Sequence, residues 1–227
     1  MANKRSKRYS KSLETQPTAA VSLEEAVNIV KGFGAAKFDM TVDLVMHLGI
    51  DPRQADQALR GSISLPNGIG KSKKVIAFCD GDDAEKAKAA GAIEVGSDEL
   101  VEKISKGWMD FDVAVATPAM MRVVSKLGRV LGPTGKMPSP KAGTVTQDVE
   151  TAVKEFAAGK VNYRNDDGGN LHVPVGKVGF KAEELVGNIK HFMKYIRKIK
   201  PSTAKGTYIK KVSISATMTP SVEIEVE

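Results

Sequence analysis

The last segment of the chain has the clearest alternation of apolar and polar residues. From 212 to 226 the apolar residues occupy even positions, namely Val212, Ile214, Ala216, Met218, Val222, Ile224 and Val226. Hydroxyl and acidic residues occupy the odd positions, beginning with Ser213, Ser215 and Thr217. A period of two is typical of a strand that is buried on one face, so the segment predicts a strand pair with a turn near Pro220.

The beginning of the chain predicts a helix, a strand and a second helix. Ser22 and Glu25 form a capping box ahead of apolar residues at helical spacing, and Gly32 and Gly34 end that helix. Residues 38–48 alternate like a strand with one covered face. The Asp51-Pro52 pair predicts the start of another helix, which reaches about Arg60.

The other end of the chain predicts a hairpin and an amphipathic helix. Residues 161–164 and 171–175 have strand character on either side of a turn at 165–170, and residues 182–200 have helical periodicity. Helices combined with strands that have one open face predict an α+β sandwich.

The middle of the chain has a different pattern. Apolar runs at 75–78, 92–95 and 113–116 alternate with helical stretches at 83–90, 97–106 and 118–126. Such alternation is typical of a parallel sheet, so we predict an α/β protein of two domains. Both termini form the outer α+β domain (1–65 plus 160–227), and a Rossmann-like three-layer α/β/α domain (66–159) is inserted. Glycine and proline mark the connections near 65–70 and 158–160.

Charge is distributed according to this division. The chain has a net charge of +7, and the two ends carry 21 Lys+Arg against 14 Asp+Glu, whereas residues 66–159 carry 13 of each. The positive charge of the outer domain favours a nucleic acid over an uncharged molecule as its partner.

Residues 127–145 combine four glycines and three prolines with three cations and no acid. Glycine and proline predict a long shaped loop instead of a helix or central strand. Arg129, Lys136 and Lys141 have no local carboxylate and are candidate phosphate contacts, or they brace the two domains.

The sequence contains little evidence for a catalytic, cofactor or metal site. The Gly70-Lys71-Ser72 tripeptide has Leu65 where a phosphate loop needs glycine, and it precedes a strand. His47, His172 and His191 lack metal-ligand spacing, and Cys79 fits a packed thiol. We therefore predict no catalytic residue, cofactor or metal. A small α/β nucleotide-binding protein or enzyme is the alternative, and a protein-interaction adaptor is the third choice.

Membrane insertion is not expected, because no apolar run approaches the roughly 18 residues of a spanning helix. The basic start of the chain leads into Glu14 and Gln16 instead of an apolar signal core. The sequence predicts a cytoplasmic protein.

Several segments resemble one known family in matching order. They are 5–9 (RSKRY), 37–43 (KFDMTVD), 48–52 (LGIDP), 107–111 (GWMDF), 127–145, 156–166, Thr217-Met218 and Pro220-Ser221. Together they span nearly the whole chain and resemble the family of the first protein of the large ribosomal subunit, the L-one family.

This resemblance implies a protein of the large ribosomal subunit that binds its ribosomal RNA at the mobile stalk near the transfer RNA exit site. Such a protein is ribosome-associated and assists release of deacylated transfer RNA, and bacterial members also repress translation of their own messenger RNA. The implied RNA-binding residues are Lys37, Phe38, Thr41, Asp43, Arg164, Asp166, His172, Ser215, Thr217, Met218 and Thr219.

Two of these side chains are open to a second interpretation. Phe38 fits either a base stack or the edge of the core, and the even position of Met218 fits the core as well as a contact. Thr219 stands where the family usually has glycine, and Lys211 replaces a common hydroxyl residue.

Overall fold

The computed structural model describes residues 6–33 and 36–226, apart from the side chain of Asp82. The α-helices are α1 (Lys7–Glu14), α2 (Leu23–Gly32), α3 (Asp82–Ala89), α4 (Asp98–Ser105), α5 (Met121–Val124), α6 (Gly128–Leu131), α7 (Val149–Ala157) and α8 (Ala182–Lys198). The strands are β1 (Thr41–Leu48), β2 (Arg60–Ile63), β3 (Val75–Phe78), β4 (Glu94–Gly96), β5 (Val113–Ala116), β6 (Val161–Arg164), β7 (Asn170–Lys177), β8 (Ile209–Ala216) and β9 (Val222–Ile224). The predicted mixed α/β class is confirmed.

The chain divides into two compact units. The first comprises the described residues within Met1–Arg60, Leu65–Gly70 and Tyr163–Glu227. The second comprises Gly61–Ser64 and Lys71–Asn162.

The first unit is built on an antiparallel sheet of strand order β7-β1-β8-β9. Its core face carries Val42, Leu44 and Met46 of β1, with their neighbours on β7 and β8, and these side chains are fully buried. Helices α2 and α8 cover this face. The predicted capping box at the start of α2 is confirmed, because Ser22 and Glu25 exchange side chain to backbone hydrogen bonds. Gly34 lies outside the described residues.

The predicted pairing of residues 161–164 with 171–175 is wrong. Strand β7 pairs with β1, and β6 pairs with β2 in a separate two-stranded sheet. Among the described residues, one isolated bridge, between Asn165 and Leu171, links the ends of the two segments. The apolar residues of β7 are buried against the same core as β1, so burial at long range decides the partner.

The predicted helix from Asp51 to Arg60 is also wrong, since this segment consists of turns. The Asp51 carboxylate accepts hydrogen bonds from Arg53 N at 3.1 Å and Gln54 Nε2 at 3.3 Å. Gln57 Oε1 accepts from Asp51 N at 2.9 Å. Side chains that bind nearby backbone groups in this way compete with a regular helix.

The second unit has the predicted parallel sheet, with strand order β4-β3-β5. Alternate residues of β3 and β5 point to opposite faces, and each face has its own buried cluster. Phe78 lies in the cluster with residues of α4 and α5, whereas Ala77 lies in the cluster with residues of α3 and α7. Helical residues on both faces give this unit three layers.

Residues 127–145 contain more helix than the sequence predicts. Gly128–Leu131 forms α6, and 3-10 turns occupy Ser125–Leu127 and Pro140–Ala142. The prediction that this segment excludes helix is wrong at its start, because Leu127 and Leu131 are buried in the core beside Phe111. Burial of these side chains offsets the low helical preference of glycine.

Candidate nucleic-acid interface

One face of the four-stranded sheet is left open by α2 and α8, and we call it the open face. It is formed by Thr41, Asp43, Val45 and His47 on β1, His172 and Pro174 on β7, Ser213 and Ser215 on β8, and Glu223 on β9. Asp43 lies between Pro174 and Ser215 in the cross-strand register. Hydroxyl, carboxylate and imidazole groups therefore stand side by side on one surface.

Asp43 is a half-buried acid near the middle of this face. Burial raises the pKa of its carboxyl group, and the nearby positive charges of His172 and Lys177 act in the opposite direction. Within the described ranges, no hydrogen bond or ion pair occupies its oxygens. A carboxylate in this position is suited to accept hydrogen bonds from a ligand.

Thr41 and Thr217 connect β1 to the residue that follows β8. Thr217 N donates to Thr41 O at 3.0 Å, and Thr41 N donates to Thr217 Oγ1 at 3.2 Å. Lys177 Nζ donates to Thr41 Oγ1 at 2.9 Å and to the Asp39 carbonyl oxygen at 3.3 Å. This end of the sheet is thus held by side chains from three strand ends.

The turn between β8 and β9 exposes Met218. Its φ angle is 67°, and no other non-glycine residue in the described ranges has a positive φ. The Met218 side chain is 67% exposed, so the core interpretation is wrong: the turn interrupts the alternation before this residue. Thr219 Oγ1 lies 3.0 Å from both Ala216 N and Ala216 O, so the threonine side chain is used within the turn.

Lys37 and Phe38 lie in a bend before β1 and not on the strand, which begins at Thr41 instead of the predicted residue 38. The Phe38 side chain is 53% exposed, which excludes the core-edge interpretation. Phe38 and Met218 belong to the same end of the sheet, because β1 begins where β8 ends. This end therefore exposes an aromatic ring and a thioether beside the Thr41–Thr217 pair.

Asp166 and His172 lie toward the opposite end of the sheet, and Asp166 Oδ2 is 3.6 Å from His172 Nε2. Asp166 Oδ1 accepts hydrogen bonds from Gly168 N at 2.9 Å and Asn170 N at 2.6 Å. Hydrogen bonds, those from Asn170 above all, lower the pKa of Asp166 to about 2. Arg164 is exposed at the end of β6. The predicted residues thus extend along the sheet instead of meeting in one pocket.

Sequence reasoning did not select several residues that lie on the open face or at its margin. Ser213 and His47 have the odd-position signal that could have identified them. Lys177 and Asn170 have no such signal, because their position depends on the pairing of β7 with β1. His47 Nδ1 lies 2.8 Å from Asn170 Oδ1 across that pair.

Comparison with known proteins identifies the family. The model of the ribosomal protein L1p/L10e family matches residues 30–220. The chain belongs to this family. It is 51% identical to the large ribosomal subunit protein uL1 of Kosmotoga olearia over 223 residues, which cover 98% of this chain and 96% of that protein.

Membership of the L1p/L10e family confirms the prediction that the chain is not an enzyme, since the family and the relative are ribosomal proteins. Cys79 is buried, and burial raises the pKa of its thiol to about 11. Among the described residues, no group of three or more His, Cys, Asp or Glu side chains is placed to hold a metal ion. No helix in the described part of the chain has the length and apolar character of a membrane span.

The three candidate cations of residues 127–145 differ in their surroundings. Lys136 is half-buried, and its Nζ donates to the carbonyl oxygens of Met109 and Phe111 and lies 4.9 Å from the centre of the Phe111 ring. Arg129 and Lys141 are exposed, and neither has an ion pair or side-chain hydrogen bond with another described residue. Lys136 therefore supports the fold of the second unit, whereas Arg129 and Lys141 are available to a ligand.

Proposed function

We propose that this protein is a component of the large ribosomal subunit that binds ribosomal RNA through the open face of its first unit. The observation that carries the proposal is the exposure of Phe38 and Met218 at the end of a sheet face rich in hydroxyl and carboxylate groups. Both side chains are among the large apolar residues that the described part of the chain leaves exposed, and they lie at the same end of one sheet. Membership of the L1p/L10e family supports RNA as the partner.

The chemistry of the open face suits folded RNA. Hydroxyl and carboxylate groups pair with ribose 2′-hydroxyls and base edges, and an exposed aromatic ring stacks on an unpaired base. Asp43 and Ser215 supply such groups in one row, and Lys37 places an exposed cation before β1. The face thus favours recognition of RNA shape over general attraction to phosphates.

The positions of these residues suggest a different RNA contact for each unit. We assign recognition of ribosomal RNA to the discontinuous domain (1–65 plus 160–227). The inserted domain (66–159) provides a second, weaker contact, in which the exposed Arg129 and Lys141 bind phosphates of the exit-site transfer RNA. On this proposal the protein belongs to the mobile stalk and assists release of deacylated transfer RNA.

Control of its own synthesis is the remaining part of the proposal. If the messenger RNA of this protein contains a fold similar to the ribosomal site, the open face binds both, and binding to the messenger represses translation. The two RNAs should then compete for one site with a single dissociation constant each.

A binding titration tests the proposal. The full chain is titrated with the stalk fragment of large-subunit ribosomal RNA and with a scrambled RNA of equal length, at one salt concentration. We expect preference for the stalk fragment, and we expect a variant with a short linker in place of residues 71–162 to retain it. Equal affinity for both RNAs would refute RNA recognition, whereas loss of preference in a folded linker variant would refute only the assignment to the first unit.

A further inference from the structure

The N-terminal helix α1 is bound to the turn that exposes Met218. Arg8 Nη2 donates to the Met218 carbonyl oxygen at 3.2 Å. Gln16 Nε2 donates to the Ser221 carbonyl oxygen at 2.7 Å, just beyond the same turn. These contacts join residues more than 200 positions apart in the chain, so the N-terminal segment is fixed along the β8–β9 turn.

A second set of contacts extends this attachment to β9. Val21 N donates to Glu223 O at 3.1 Å, and Glu225 N donates to Val21 O at 3.0 Å. Val21 forms a parallel bridge with Ile224. The segment that begins with α1 is therefore held against the β8–β9 turn and along the edge strand β9.

The turn needs such support. The left-handed φ of Met218 is unfavourable for a residue with a side chain, because its Cβ approaches the following carbonyl oxygen. Packing does not hold this conformation, since the side chain is largely exposed. The Thr219 hydroxyl and the Arg8 guanidinium bind the backbone on either side of the strained position. An exposed strained residue held by its neighbours points to a binding role.

Helix α1 also carries cations that the described part of the chain does not neutralise. Lys7 and Lys11 are exposed and lie one helical turn apart, so they share a face of α1. Neither makes an ion pair with a described residue. Unpaired lysines on a helix that is bound to the Met218 turn suit an RNA strand, whose phosphates bind the cations while its bases contact the apolar group.

We propose that α1 is part of the RNA-binding surface, with Lys7 and Lys11 contacting phosphates and Arg8 acting as a positioning residue. Arg8 binds the Met218 carbonyl oxygen, keeps the turn left-handed and so presents the Met218 side chain to RNA. This inference rests on the proposed RNA-binding function of the open face. It extends the RNA-binding surface from the open face to α1, and it gives Arg8 an indirect effect on specificity.

The variants Arg8→Ala and Lys11→Ala form a matched pair, because each removes one positive charge from the same helix. Both are titrated with the stalk fragment of ribosomal RNA and with the scrambled RNA at several salt concentrations. We expect Lys11→Ala to weaken both affinities alike and to lower the salt slope by about 0.7–0.9. Arg8→Ala should in addition lower the ratio of stalk to scrambled affinity by on the order of tenfold.

A double-mutant cycle with Met218→Gly separates positioning from a direct contact. Glycine adopts the left-handed conformation freely, so this variant should fold as the wild type does, which thermal melting checks. If Arg8 acts through Met218, then Arg8→Ala should not change the affinity ratio further in the Met218→Gly protein.

The outcomes are distinct. Equal ratios for Arg8→Ala and Lys11→Ala, or additive effects in the cycle, would overturn the positioning role. An unchanged salt slope in Lys11→Ala would overturn the phosphate contact. A wild-type protein without preference for the stalk fragment would instead refute the function on which the inference rests.

Discussion

The side-chain oxygen of Thr217 lies 3.2 Å from the backbone nitrogen of Thr41 and 3.3 Å from its carbonyl oxygen. Both contacts lie beside the backbone hydrogen bond from Thr217 N to Thr41 O. The hydroxyl that the family resemblance assigns to RNA binding therefore already makes hydrogen bonds within the folded protein. Its contributions to folding and to binding must be measured separately.

Thr217→Val should lower the free energy of unfolding by about 1 kcal/mol, because the half-buried Thr41 N–H loses its acceptor while side-chain volume is retained. Thr217→Ser retains the oxygen and should differ little from the wild type. Urea unfolding of both variants measures the difference. Wild-type stability in Thr217→Val would mean that the hydroxyl is not bound internally in solution.

Ser215→Ala is the cleaner test of a hydroxyl on the open face. Ser215 lies opposite Asp43, and its hydroxyl makes no hydrogen bond with a described residue. Its removal should leave stability within about 0.5 kcal/mol of the wild type. Affinity for the stalk RNA should fall about fivefold, which corresponds to one hydrogen bond of about 1 kcal/mol. Ser72→Ala, at an exposed site of the second unit, is the control and should bind normally.

The low pKa of Asp166, about 2, predicts a loss of stability in acid. Because folding depresses this pKa below the unfolded value of about 3.9, the ionised carboxylate stabilises the folded state above about pH 4. This contribution should be lost as the pH falls through about 2. The carboxylate is exposed, so solvent screening limits the effect to about 1 kcal/mol.

Thermal melting between pH 5 and pH 2 tests this assignment. The melting temperature of Asp166→Asn should fall less steeply with acid than that of the wild type. Asp167→Asn is a suitable control, because it removes the adjacent exposed carboxylate. Parallel curves for Asp166→Asn and the wild type would contradict the role of the carboxylate in the loop.

Lys136 should behave differently from Arg129 and Lys141. Lys136→Met removes the hydrogen bonds to the Met109 and Phe111 carbonyl oxygens, so it should cost about 1–2 kcal/mol of stability. Arg129→Gln and Lys141→Gln should leave stability unchanged. Each should lower the salt slope of transfer RNA binding by about 0.7–0.9. A stable Lys136→Met protein with a lowered slope would reverse this assignment.

Local patterns predicted the elements whose partners lie near in sequence or whose pattern is strict. The strands at Val75–Phe78 and Val113–Ala116 have the predicted bounds, because each is a continuous apolar run buried on both faces. The turn between β8 and β9 lies near Pro220, as predicted. The prediction of a turn did not, however, indicate that Met218 is exposed.

The errors arise where distant residues decide the structure. No local pattern indicates that β7 pairs with β1, so the placement of Lys177 and His172 beside Asp43 was not predicted from sequence alone. The Asp51-Pro52 pair predicts a helix, whereas the segment forms turns, because side chain to backbone hydrogen bonds leave little signal in a sequence. The composition of the open face was thus predictable strand by strand, but its arrangement across strands was not.

The central claim is that the open face, with Phe38 and Met218 at its end, distinguishes one RNA from another. The decisive quantity is the ratio of stalk to scrambled RNA affinity. It is measured in the double variant Phe38→Ala with Met218→Ala and in a second double variant, Lys194→Gln with Lys198→Gln on α8. Both pairs lie at exposed positions, so each protein should fold, which thermal melting checks. We predict that the first pair lowers the ratio by at least about tenfold, since stacking and apolar contacts contribute roughly 1–3 kcal/mol per base. The lysine pair should weaken both RNAs alike and leave the ratio unchanged. An unchanged ratio in the first pair and a collapsed ratio in the second would contradict the account.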